Sequence, residues 1–105
     1  MYRGWLDGVT GTVIVGHDGL LIANTMTQET DAESLGVWAL GVYMGTSHVI
    51  EKLGDDHVRQ IVSQTNQGYL IIANFDAGLL ITLTNPIRLD SLLPLMRTIT
   101  QLVAA

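Results

Sequence analysis

The chain has 105 residues, 48% of them apolar and 14% charged; at this length two domains would have about 50 residues each, so one domain over residues 1–105 is expected. Its apolar content is enough for burial to offset conformational entropy, which excludes a disordered tail. Ten acidic against five basic residues give a net charge of −5, and Arg3, Lys52, Arg59, Arg88 and Arg97 are scattered, which argues against nucleic acid or an anionic membrane as partner.

Tyr2, Trp5 and Leu6 share one face of a short N-terminal helix that Gly4 and Gly8 limit to a turn or two. Thr10–Gly16 is rich in β-branched residues, His17-Asp18-Gly19 is turn chemistry and Leu20–Asn24 is apolar again, which predicts a β-hairpin. Thr30 and Glu33 have capping-box spacing, so a long helix is expected from Thr30 to Leu53. Gly54, in a left-handed conformation, would end it, with Lys52 at the negative end of the dipole. His57–Thr65, Tyr69–Asn74 and Leu79–Thr84 follow as an antiparallel meander joined by Asn66-Gln67-Gly68 and Phe75-Asp76-Ala77-Gly78. The last two runs are apolar at consecutive positions and are predicted to be central strands covered on both faces. Leu92, Leu95, Met96, Ile99, Leu102 and Val103 then mark an amphipathic helix over residues 89–104, with Pro94 in its first turn and Asp90 or Ser91 as cap.

The long helix carries two apolar stripes. At 100° per residue, Leu35, Trp38, Ala39, Val42, Thr46, Val49, Ile50 and Leu53 form the wider one, assigned to the face on the sheet. Gly36, Val37, Leu40, Met44 and Ser47 form a second. Glu33 and Glu51 lie only at its ends, and Ser34, Gly41, Gly45, His48 and Lys52 run beside it. A solvated face would carry charge in its middle, and each helix-interior glycine costs roughly 0.5–1 kcal/mol relative to alanine. A partner, self or other, is expected on this second stripe; a weakly apolar free surface is the plainer alternative.

Catalytic chemistry finds little support. His17, His48 and His57 have no helical metal-ligand spacing, Asp55-Asp56-His57 follows a helix-ending glycine and reads as a solvated loop, and no phosphate-loop or nucleophile-elbow pattern occurs. The chain has no cysteine, and no basic-plus-apolar leader is evident, so a cytoplasmic setting is expected. Apolar runs such as Tyr69–Ala73 are far short of the roughly 20 residues a membrane helix needs, and no membrane insertion is expected. These features predict a binding module without enzymatic activity, cofactor or metal.

In that order of elements, Val9–Ala23 (VTGTVIVGHDGLLIA), the helix ending Glu51-Lys52-Leu53-Gly54, Gly68–Ala73 (GYLIIA) and Leu79–Asn85 (LLITLTN) resemble the roadblock family of dynein light chains and bacterial GTPase regulators over about residues 8–104. The resemblance implies an α/β (α+β) fold: a five-stranded antiparallel sheet with the long helix on one face and the terminal helices on the other. It also implies a homodimer formed through the long helices and the edge strand His57–Thr65. The interface residues expected here are Gly36, Val37, Leu40, Gly41, Met44, Gly45, Ser47 and His48, with Arg59 and Ile61 of the strand. A Ras-like small GTPase is the implied partner, regulated without catalysis by this chain. An adaptor light chain of a motor or other complex is the structural alternative. A small-molecule sensor is a further one, against which Trp38 and the large aliphatics would fill the space between helix and sheet. Family members commonly have a full first helix, whereas only Met1–Asp7 is available for it here.

Overall fold

A computed structural model of the protein describes residues 8–26, 28–54 and 56–104. The order is β1 (Val9–Gly16), β2 (Leu21–Asn24), α1 (Glu29–Leu53), β3 (Gln60–Thr65), β4 (Gly68–Phe75), β5 (Gly78–Thr84) and α2 (Leu89–Ala104). All ladder pairs are antiparallel, in the spatial order β2-β1-β5-β4-β3. This is the predicted five-stranded sheet, with β2 and β3 at its edges. The expected N-terminal helix around Tyr2, Trp5 and Leu6 lies outside the described residues, as does Asp55.

The first hairpin closes on local hydrogen bonds. Asp18 Oδ1 accepts from the Leu20 amide at 3.0 Å, and the Gly19 amide donates to the Gly16 carbonyl at 3.0 Å. Gly19 takes the positive φ of +86° that this turn requires. The register between β1 and β2 slips at Ile14/Val15, leaving Ile22 as the extra residue of a bulge on the edge strand.

Alternation of side chains produces two cores. On one face Val13, Val15, Ile72, Leu79 and Ile81 meet Ala32 and Ala39 of α1. On the other, Ile71 and Ala73 meet Leu92, Leu95 and Ile99 of α2. Ile71, Ile72 and Ala73 are successive and all fully buried, because β4 is covered on both sides, as its unbroken apolar run predicts.

Four local expectations are corrected. Helix α1 starts at Glu29 with Gln28 as N-cap and no side-chain cap bond, so the Thr30 capping box does not set its start. Ala32 is fully buried and its amide donates to the Gln28 carbonyl at 3.2 Å, which requires helical backbone a turn before it; burial outweighs the local cap. Gly54 does end the helix, but with φ 166° and ψ −173°, extended rather than left-handed. Pro94 lies inside α2, past its first turn. The helix begins earlier because the Arg88 carbonyl accepts from the amides of Ser91 and Leu92 at 2.9 and 3.0 Å. His57, Val58 and Arg59 precede β3 rather than belonging to it.

Candidate functional site: the outer half of α1

The fully buried residues of helix α1 all lie in its first half. Ala32, Gly36 and Ala39 are buried, and no residue from Leu40 to Leu53 is. Gly36 is the contact point: a Cβ there would lie 3.2 Å from Cβ and Cγ2 of Val15, so the glycine lets the helix lie close on β1. Leu40 packs against the same core and points at the first hairpin, since a Cβ on Gly19 would meet its Cδ2 at 3.7 Å. Further along, Tyr43 donates its hydroxyl to the Val58 carbonyl at 3.1 Å, tying the outer half to the segment that enters β3.

This packing rotates the helix relative to the sequence assignment. Trp38, Val42, Val49 and Leu53, expected against the sheet, are exposed, Trp38 by 70%. Gly36, Leu40 and Ser47, expected on the outward stripe, turn inward: Gly36 is buried, Leu40 joins the core, and Ser47 Oγ is buried. Val37, Gly41, Met44, Gly45 and His48 are exposed as expected. Nothing lies within 4 Å of where a Cβ on Gly41 or Gly45 would stand, so the close approach that would offset their helix cost is not made inside this chain. Ile61 is half-buried on edge strand β3, and exposed Arg59 sits just before it, its carbonyl accepting from the Asn74 amide at 3.1 Å.

Two flanks can be told apart. Leu40 shares its side of the helix with Val37 and Met44, three and four residues away. Leu40 reaches the β1–β2 turn, so this flank faces the β2 edge. Trp38, Val42 and Val49 therefore lie on the side of the other edge, β3. Between the flanks, Gly41, Gly45 and His48 point away from the sheet. From Ser34 to Ile50 the sequence contains no Asp, Glu, Lys or Arg, so covering this span would desolvate no charge of the helix. Sequence reasoning missed Trp38, Val42 and Val49 as outward residues. The signal that finds them is the row Ala32, Gly36, Ala39, Tyr43, whose small members at spacings of four and three mark a helix lying flat on a sheet.

The rotation separates two substitutions. Leu40→Arg is expected to lower stability by about 1–3 kcal/mol by placing a cation in the core under the first hairpin, whereas Met44→Arg, on an exposed position, should shift it by no more than about 0.5 kcal/mol. Urea midpoints of both variants check this, and equal midpoints would return Leu40 to the outer face.

Among the described residues no three His, Asp or Glu side chains converge as metal ligands. His17 Nε2 is 2.8 Å from Asn74 Oδ1 and ties the first turn to β4.

The sequence profile described as the Roadblock/LC7 domain matches residues 5–85. Two uncharacterized proteins of Methanocaldococcus jannaschii are 29% and 27% identical over 79 residues, 75% of this chain and 67% and 69% of theirs. Among solved structures, a Roadblock/LC7 domain from Streptomyces avermitilis superposes with a TM-score of 0.79 at 21% identity, covering 97% of this chain and 90% of that one. The gliding protein MglB from Thermus thermophilus gives 0.76 at 14% identity, over 97% and 82% of the two chains. Myxococcus xanthus MglB gives 0.74 at 16%, over 89% and 78%. At these identities the structural likeness concerns the fold.

Proposed function

The chain belongs to the Roadblock/LC7 domain family, and on that premise we propose that it is a non-catalytic homodimer that binds a Ras-like small GTPase and modulates its nucleotide state. The observation that carries this reading is the outer half of α1, where Val42, Met44, Val49 and Leu53 stand exposed around a helix with no buried residue after Ala39. Contiguous apolar exposure of this kind marks an interaction surface on a soluble protein.

The dimer seam takes the flank that faces β3: Trp38, Val42 and Val49, continued by Arg59, Ile61 and the free edge of β3. An edge strand beside an apolar helix flank presents both unpaired backbone groups and a surface to bury. The platform for the GTPase takes what then remains outward, Val37, Gly41, Met44, Gly45 and His48. Gly36, Leu40 and Ser47 have no part in it, because they are turned into the body of the protein. No described helix is long and apolar enough to cross a membrane, and we place the protein in the cytoplasm, where Ras-like GTPases act.

Isothermal titration of the protein against a Ras-like GTPase from its own genome, loaded with a GTP analogue or with GDP, tests the proposal. Affinity for the GTP-analogue form should exceed that for the GDP form by about tenfold or more, because only differential affinity shifts a nucleotide-dependent equilibrium. Equal affinities would reduce the protein to a passive adaptor.

A further inference from the structure

Strand β3 forms one edge of the sheet, and hydrogen bonding fixes which of its backbone groups are left for an outside strand. The Asn74 amide donates to the Arg59 carbonyl at 3.1 Å. In the β3–β4 register Ile61, Ser63 and Thr65 continue on that side, opposite Ile72, Leu70 and Gly68. Backbone groups of an antiparallel strand alternate in direction from one residue to the next. Val58, Gln60, Val62 and Gln64 therefore turn their N–H and C=O groups away from β4. The first of these is already engaged, because the Val58 carbonyl accepts the Tyr43 hydroxyl at 3.1 Å. Tyr43 is half-buried and packs against the core beneath α1, so the ring holds its hydroxyl on that carbonyl at the start of the free edge.

We propose that Tyr43 is the positioning residue of the seam, setting the register in which the β3 strand of a second copy pairs with this one. The inference rests on the homodimer reading above and adds to it which residue meets which. In a two-fold contact each residue i that meets j is matched by j meeting i. With Val58 closed by Tyr43, the outward positions are Gln60, Val62 and Gln64. Their full symmetrical pairing puts Val62 opposite its own counterpart and Gln60 opposite the counterpart of Gln64. Val62 is half-buried on the side of α2, so the axis carries an apolar β-branched pair with glutamines on either side of it. With the Val58 carbonyl open, the outward positions would pair fully about Ile61 instead, Val58 opposite the counterpart of Gln64 and Gln60 opposite that of Val62. The two registers differ by a slip of two residues, which keeps every side chain on its own face, so the alternation of the strand allows both. One phenolic hydroxyl on α1 decides between them.

The chain has no cysteine, so single introduced thiols report the register directly. Ile61→Cys, Val62→Cys and Ser63→Cys are each oxidised in air with a copper catalyst, and the covalent dimer is followed on a non-reducing gel. Residues directly opposite in an antiparallel pair have Cα atoms about 4.5–5.5 Å apart, within disulfide reach, whereas diagonal positions are about 7–8 Å apart. Val62→Cys should therefore cross-link at least about fivefold faster than the other two. In the Tyr43→Phe background, and in Tyr43→Leu, which removes the ring as well, the preference should pass to Ile61→Cys. A merely structural hydroxyl would lower stability and leave the cross-linked position where it was. Circular dichroism controls for folding, light scattering before oxidation gives the assembly, and a shift in either folded variant supports the inference. Val62→Cys preferred in every background, or another position preferred in the wild-type background, overturns it. A non-covalent dimer in which none of the three thiols cross-links also overturns it and leaves the homodimer on another surface. A monomeric wild type removes the homodimer itself, and this register with it.

Discussion

Gly78→Ala is expected to lower stability by about 3 kcal/mol or more and the melting temperature by roughly 10–20 °C. Gly78 opens β5 and is paired on both sides, with Gly16 of β1 and Phe75 of β4. A Cβ there would stand 2.0 Å from the Val15 carbonyl oxygen and 2.9 Å from Gly16 Cα. Both obstacles are backbone, so no side chain can rotate away, and relief requires parting β1 from β5 at the centre of the sheet. Gly41→Ala should do the opposite. That position has nothing within 4 Å, and alanine gains roughly 0.5–1 kcal/mol over glycine in a helix interior. Urea unfolding of the two variants at one protein concentration should move the midpoints in opposite directions with unchanged slope. A Gly78→Ala midpoint within error of wild type would show that the β1–β5 approach is looser than the structure has it.

The elements and their order were legible in the sequence because each had an independent signal. Asp18-Gly19 marked the first hairpin, the unbroken apolar run through Ile71–Ala73 marked a strand buried on both faces, and the three-four spacing of Leu92, Leu95 and Ile99 marked the face of α2 that is buried. The ends of helices were less legible because they answer to tertiary contacts. Full burial of Ala32 carries α1 back past Thr30, and burial of Leu92 carries α2 back past the turn that Pro94 would have opened.

The orientation of α1 was hidden for a different reason. Amphipathicity identifies the inward face only when the other face is polar, and between Ser34 and Ile50 this helix has no charged residue on any side. Counting apolar volume then favours Trp38, Val42 and Val49 as core. The sheet chose instead the line of small residues, because Gly36 against Val15 brings helix and strand closer than a tryptophan allows. What the sequence did carry was the site's character: a charge-free span containing Gly41 and Gly45, and an edge strand soon after it.

Trp38 is where that character should have its largest measurable effect. Trp38→Glu is expected to convert the proposed homodimer into a monomer at micromolar concentration while leaving the circular dichroism spectrum and the fold intact, because the indole is 70% exposed in the single chain and holds up none of its core. In the proposed seam the same ring would meet the second copy beside Val42 and Val49. Large aromatic anchors at the centre of an interface contribute at least about 2 kcal/mol when truncated, which weakens the dimer roughly thirtyfold. The substitution by glutamate adds a buried charge, facing its own symmetry mate if it lies near the axis. Met44→Arg separates the two surfaces: it lies on the flank away from β3, so the dimer should persist while GTPase binding is lost. Light scattering of both variants, with titration of Met44→Arg against the GTP-analogue-loaded GTPase, decides between arrangements. A Trp38→Glu protein that remains a dimer would move the seam off this flank, and a Met44→Arg protein that falls to a monomer would place the seam on the other one.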